Sequence, residues 1–339
     1  MNPNSLIPYP DVIPAPPWLL ITLEQLLFLV HILIINALVG GVLIIIYRRF
    51  FGKDVTDHAQ TLKPAASKLP VMVALGVNMG VAPLLFMQVV FGHLFYASSV
   101  LMAVYWILII PLLIIAYYGT YIHIKKFEIS AAFSKIVLAI SAVILLYIGF
   151  MMVNNNSLME QPESWGRYFD SRGGTLLNLA NPALWPRFLH FLFASIAVGG
   201  LLFSLLFKYK KDSQNPDTQI GLGLLIFAVA TCCQIVAGLW YLIAIPREFI
   251  LNFMGQDIIA TLFLMIGFCT GIGAVVTGFL KKFIPTIILF LVTMAAMIIT
   301  RFNLRMMYLS DNFQLSSLEL TPQYGILALF LVILLAGLA

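Results

Sequence analysis

Residues 18–47 read WLLITLEQLLFLVHILIINALVGGVLIIIY and run into Arg48 and Arg49. A helix needs about 20 mostly apolar residues to cross a hydrocarbon core about 30 Å thick. No water is present there to satisfy backbone amides, so an isolated apolar stretch of this length must bond itself as a helix. The run contains one acid, Glu24, and one histidine, His31, seven residues apart and therefore on one helical face.

The same pattern recurs along the chain. Spans are predicted near 18–47, 69–96, 98–123, 134–153, 184–207, 218–244, 256–280, 283–300 and 323–339, about nine in all. The expected fold is all-α, a polytopic transmembrane helical bundle, with the second and third spans joined around Ala97 as a tight hairpin. Composition agrees. The chain is 61% hydrophobic and 10% charged, against about 25% charged residues in a soluble domain, so lipid must face much of its surface. Cys232, Cys233 and Cys269 fall in apolar stretches and read as packing residues, and neither a CxxCH haem-attachment motif nor a CxxC metal pattern occurs.

Basic residues set the orientation. One side receives Arg48, Arg49, Lys53, Lys63, Lys68, Lys125, Lys126, Lys135, Lys208, Lys210, Lys211, Lys281 and Lys282. The other receives arginines alone: Arg167, Arg172, Arg187, Arg247, Arg301 and Arg305. The positive-inside rule then places the N-terminus outside and the C-terminus in the cytoplasm. The net charge of +5 follows from that rule, with some attraction to anionic lipid, and does not point to nucleic acid. Residues 1–17, rich in proline and with Asp11 as their one charge, are expected to be an extramembrane lead-in and not a signal peptide. Residues 18–339 form a single transmembrane domain, with longer outer loops at 154–183 and 301–322 that carry most of the polar groups.

Ionisable groups within a bilayer are costly and mark function by default. His58 falls in an inner loop and is expected to be solvated. His31 is mid-span, His190 lies about two turns into the fifth span, His93 is near the outer end of the second span and His123 is at the inner end of the third. Each has a plain reading, a histidine that bonds a neighbouring carbonyl and joins helices; His123 has Lys125 and Lys126 beside it at the interface. The chemical reading is a haem, whose macrocycle fits an apolar slot and takes His or Met as axial ligands. Zinc would want three or four convergent ligands, and no local His spacing offers them. Met254 opens the seventh span at the depth of His190, where packing is the alternative. Asn78, Gln88, Gln234 and Asp257 are further polar groups expected to face an interior, with propionate or quinone hydrogen bonding open to them.

These residues sit in stretches that resemble a known family. LEQLLFLVHILIINALVGG (23–41) is similar to the first helix of the large subunit of cytochrome bd quinol oxidases, where a histidine in the equivalent place ligates haem. ALGVNMGVAPLLFMQVVFGHLFYASS (74–99) resembles the second helix and its outer end, with Val89-Val90-Phe91-Gly92 standing for a short "QFG"-like element. ILLYIGFMMVNNNSLMEQP (144–162) and NPALWPRFLHFLFASIAVGG (181–200) are similar to the fourth helix, outer loop and fifth helix. A haem-ligating histidine there falls on His190. The resemblance runs in order over about 15–245 and implies axial roles for His31 and His190, with Met254 in the topological place of the family's methionine ligand. The departures are equally informative. MAVYWILIIPLLIIAYYG (102–119) lacks the glutamates that serve the family's oxygen-reducing haem pair. The quinol-binding loop is reduced to roughly Ile245–Asp257.

The expectation is therefore a bacterial inner-membrane subunit with two or more haems b, at His31, His190 and, if it binds, His93. It would pass electrons between quinone and a periplasmic multihaem c-type cytochrome or iron–sulfur subunit, beside other membrane subunits, without reducing dioxygen. Two other readings stay open. One is a transporter or channel, which would show inverted repeats and broken helices, with Gly199-Gly200 and Gly271-Gly273 as packing sites or breaks. The other is an anchor with vestigial haem sites.

Overall fold

A computed structural model describes residues 6–52, 61–170, 172–209 and 216–338; His58, Lys53, Lys210 and Lys211 lie outside these. The described chain is built of helices, with one isolated parallel bridge between Ile13 and Leu320. The helices of ten or more residues are α1 (Pro17–Phe51), α2 (Leu69–Val90), α3 (Gly92–Leu101), α4 (Ala103–Lys125), α5 (Ala131–Glu160), α6 (Leu184–Tyr209), α7 (Pro216–Ala244), α8 (Ile258–Phe279), α9 (Phe283–Leu309) and α10 (Tyr324–Leu338). Among the described residues eight helices are long and apolar enough to cross a membrane. The ninth expected span, α10, has 15 residues, about 22 Å of helix. It packs alongside α2, where Phe330 meets Phe86 edge-on at 5.5 Å.

Three boundaries differ from the sequence reading. The second and third spans do not turn at Ala97. Phe91 (φ −117°, ψ 21°) and Met102 (φ −114°, ψ 31°) each leave helical geometry, so α3 forms a separate ten-residue helix between them. The outer loops are also shorter than expected. α5 continues through Asn154–Asn156 to Glu160, and α9 continues through Arg301 and Arg305 to Leu309. Charge and amide groups had suggested span ends there. They are tolerated because the protein itself encloses them: Asn154, Asn155, Glu160 and Arg305 are all buried.

Two apolar cores hold the ends. The inner one gathers Leu38, Ile45, Leu69, Leu138, Phe203 and Phe207. The outer one gathers Ile13, Leu20, Phe91, Leu94, Trp165 and Phe313. The lead-in belongs to this outer core. The Ile13 amide donates to the Glu319 carbonyl (2.8 Å), and the Thr321 amide donates back to Ile13 (2.9 Å). Central crossings are set by glycine, as expected where lipid gives no hydrophobic drive and close backbone contact must supply it. A Cβ on Gly199 would lie 2.5 Å from the Gly40 carbonyl carbon, and one on Gly200 2.6 Å from the Gly223 oxygen. Gly199-Gly200 and Gly271-Gly273 both lie in unbroken helix.

Candidate functional site

His31 of α1 and His190 of α6 occupy the same kind of setting. The His31 Nδ1–H donates to the Gly76 carbonyl of α2 (2.9 Å). The His190 Nδ1–H donates to the Gln234 carbonyl of α7 (3.0 Å). A carbonyl only accepts, so each neutral ring carries its proton on Nδ1 and its lone pair on Nε2. At His190 the Gln234 side-chain amide donates to that lone pair (3.3 Å). Both rings pack on bare backbone: a Cβ on Gly80 would fall 2.6 Å from His31 Cε1, and one on Gly238 2.9 Å from His190 Nδ1. Phe28 lies 6.4 Å from the His31 ring.

The other sequence candidates fall elsewhere. His93 is buried in α3, outside the long spans, against Phe313 (ring centroids 5.2 Å); burial lowers its imidazole pKa, and Asp11 partly offsets this. His123 is fully buried at the inner end of α4, with Nδ1 2.9 Å from both the Ser134 carbonyl and its hydroxyl. Arg49, bonded to the same hydroxyl and to the Phe127 carbonyl, completes that knot. This is a joint between α1, α4 and α5. Met254 lies in the irregular turn ahead of α8, beside Gly255 at φ 118°, a conformation that suits glycine. Met254 is 68% exposed. Asp257 does not face an interior; it caps α8, accepting from the Ile259 and Ala260 amides at 2.9 and 3.0 Å. Asn78 is exposed on α2.

The largest polar assembly was not singled out from sequence. Arg187 of α6 holds Glu160 of α5 with two nitrogens (2.6 and 3.2 Å). Arg305 of α9, with no exposed surface, reaches Glu24 of α1 at 3.2 Å and stands 3.6 Å from Glu160. Asn156 accepts from both Arg301 and Arg305 at 3.4 Å. Arg301 lies over the Phe28 ring, 4.3 Å from its centroid. A small chamber of about 10 Å³, room for about one water, opens between Glu160, Arg187, Tyr241 and Tyr308. The signal for this cluster was present in the spacing of Arg301 and Arg305, four residues apart on one helical face. Just outside the spans, burial and then nearby Asp311 raise the Glu163 carboxyl above its usual range.

Among the described residues no three of His, Cys, Asp or Glu converge as a metal cluster. The chain matches no family model, no curated protein and no solved structure.

Proposed function

We propose that this chain is a haem b-binding membrane subunit of a respiratory electron-transfer complex. It passes electrons between the quinone pool and a redox partner at the outer face, without reducing dioxygen. The observation that carries this reading is the matched state of His31 and His190. Each imidazole is oriented by an Nδ1–H bond to a backbone carbonyl of the adjacent helix and carries its lone pair on Nε2; at His190 a ligand would displace the Gln234 side-chain amide from that atom. Ligating histidines almost always have this second bond, which fixes tautomer and ring direction and raises basicity. Haem bound through such a nitrogen supplies a one-electron centre whose potential depends on ligand and burial.

The donor set fits one axial imidazole at each site. His31 lies 14 residues from the start of α1, about 21 Å along it, and His190 lies 6 residues from the start of α6, about 9 Å along it. Asn36 and Ser195, five residues beyond His31 and His190 in their helices, are hydrogen-bonded to each other (3.0 Å), so the two imidazoles stand at about the same depth and would hold neighbouring centres, not a stepwise relay across the membrane. The sixth ligand of each iron is open. Another segment or a partner chain would have to supply it: Met254 is not at the depth of His190 but on the exposed turn beyond Ala244, the end of α7, ten residues or about 15 Å past the Gln234 that His190 meets. His93 is the candidate for a further outer centre. The absence of acids from 102–119 supports transfer without oxygen chemistry. The bacterial cytoplasmic membrane, a periplasmic multihaem cytochrome or iron–sulfur partner, and quinone as the second redox substrate belong to this proposal.

A reduced-minus-oxidised spectrum with pyridine haemochrome quantitation on detergent-purified protein tests it. Haem b at one or more per chain is expected, with His190→Ala and His31→Ala each removing one centre. A folded, colourless wild-type protein would overturn the reading.

A further inference from the structure

We infer that the outer end of the bundle holds an oxyanion ligand, a carboxylate or phosphate group, at Arg301 and Arg305 between α1, α5 and α9. The cluster there contains two carboxylates, Glu24 and Glu160, and three guanidiniums, Arg187, Arg301 and Arg305, which leaves one positive charge over. Arginine does not shed its proton to escape burial.

Hydrogen-bond geometry gives the same sign. Arg187 commits two nitrogens to Glu160. Arg305 uses Nη1 on Glu24 and one of the two long bonds to Asn156. Its Nε, 3.6 Å from Glu160, is beyond hydrogen-bond reach. Among the described residues, Arg305 Nε and Arg301 Nη1 are buried without a partner, against one unpartnered acceptor beside Glu24, Gln25 Oε1. The surplus is of N–H donors, and the ligand that matches it is rich in acceptors.

Water would satisfy individual N–H groups but leave the charge. Arg301 and Arg305 face the rings of Phe28 and Phe91, which soften but do not neutralise a buried cation. An isolated buried charge is costly, whereas a planar guanidinium bonds carboxylate or phosphate oxygens strongly and directionally. Arg305 is fully enclosed, and Arg301 keeps partial exposure. The ligand therefore enters on the Arg301 side. Two sources share the required chemistry: the carboxylate arm of a prosthetic group, and the phosphate of an outer-leaflet phospholipid. The inference stands apart from the haem proposal, since a phospholipid would occupy the site in a colourless protein.

The test is ligand content in extensively delipidated wild-type, Arg301→Gln and Arg301→Lys proteins in neutral detergent. Acidified solvent extracts are assayed for porphyrin by absorbance and for phospholipid by phosphorus and mass. The wild type should carry at least one such molecule per chain. Arg301→Gln should lose about one such molecule per chain and melt at lower temperature, with Arg301→Lys retaining a larger share. Porphyrin missing from the Arg301→Gln extract identifies a carboxylate ligand, and phospholipid missing with porphyrin unchanged identifies a phosphate. Wild-type protein carrying neither overturns the inference whatever the variants do. So does Arg301→Gln with undiminished content, or with a higher melting temperature, which would mean that the charge had been uncompensated.

Discussion

At His190 and His31 the working geometry depends on what is missing opposite the ring. Gly238 and Gly80 let each imidazole lie against backbone, so that Nδ1 reaches the Gln234 or Gly76 carbonyl. A single methyl group at either glycine would push the ring off that carbonyl and turn Nε2 away. Gly238→Ala and Gly80→Ala are each expected to lower haem content by up to one per chain, measured by pyridine haemochrome, with the melting temperature changed little. Full content in both variants would show that these orienting bonds do not govern ligation. The Arg187–Glu160 pair makes a different prediction. Both groups are largely enclosed, at 17% and 4% side-chain exposure, and removing one partner of a buried pair typically costs about 3–5 kcal/mol. Arg187→Ala should therefore melt well below wild type, and Glu160→Gln/Arg187→Gln should recover part of the loss; equal stability of the single variant and wild type would refute the structural role. The two histidines were legible in sequence because an imidazole alone in an apolar run stands out by its polarity. The Arg–Glu cluster was not, because charges near the end of an apolar run look like the end of the span. Only the fold brings Glu24 and Arg305, 281 residues apart, to the same place.

At the scale of elements, the apolar runs predicted the helices well and their ends poorly. Hydrophobicity detects where lipid contact begins, whereas α5 and α9 persist past it because neighbouring helices and the lead-in enclose their polar turns. The break at Phe91 and the short α3 were equally invisible to hydropathy, since the residues on both sides are apolar. Crossings are a further property that composition does not reveal. α1, α6 and α7 approach at Gly40, Gly199, Gly200 and Gly223, where added side-chain atoms would meet the backbone of the facing helix, and at Gly223 the Ser204 hydroxyl as well. Overpacking a tight contact costs about 1–3 kcal/mol and sometimes more. Gly199→Leu is expected to lower the melting temperature clearly in detergent, whereas Gly325→Ala, with no atom within 4 Å of the added Cβ, should melt as wild type does. Equal melting of the two variants would mean that the α1–α6 crossing is not set by backbone contact.

Across the whole molecule, contacts between distant segments sort into two sets that match the split between lysine-bearing and lysine-free loops. At one end Lys63 pairs with Glu128 (2.8 Å), Arg48 bonds Gln219 (3.3 Å) and Lys208 lies over Phe283 (4.8 Å). At the other, Ile13 bonds Glu319, Arg187 bonds Glu160 and Arg305 bonds Glu24. The charge pattern predicts which end faces the cytoplasm, and the fold brings the loops assigned to one end together. Both the proposed outer redox partner and the oxyanion site depend on that assignment. It can be tested directly once Cys232, Cys233 and Cys269, all exposed on the helices, are replaced by alanine. In right-side-out vesicles a membrane-impermeant maleimide should label Gly173→Cys, in the loop that follows α5, and spare Lys125→Cys, at the end of α4, until the vesicles are opened. The reverse pattern would invert the molecule. It would leave the helices, crossings and histidine geometry intact, and move the arginine cluster and any docking partner to the cytoplasmic face.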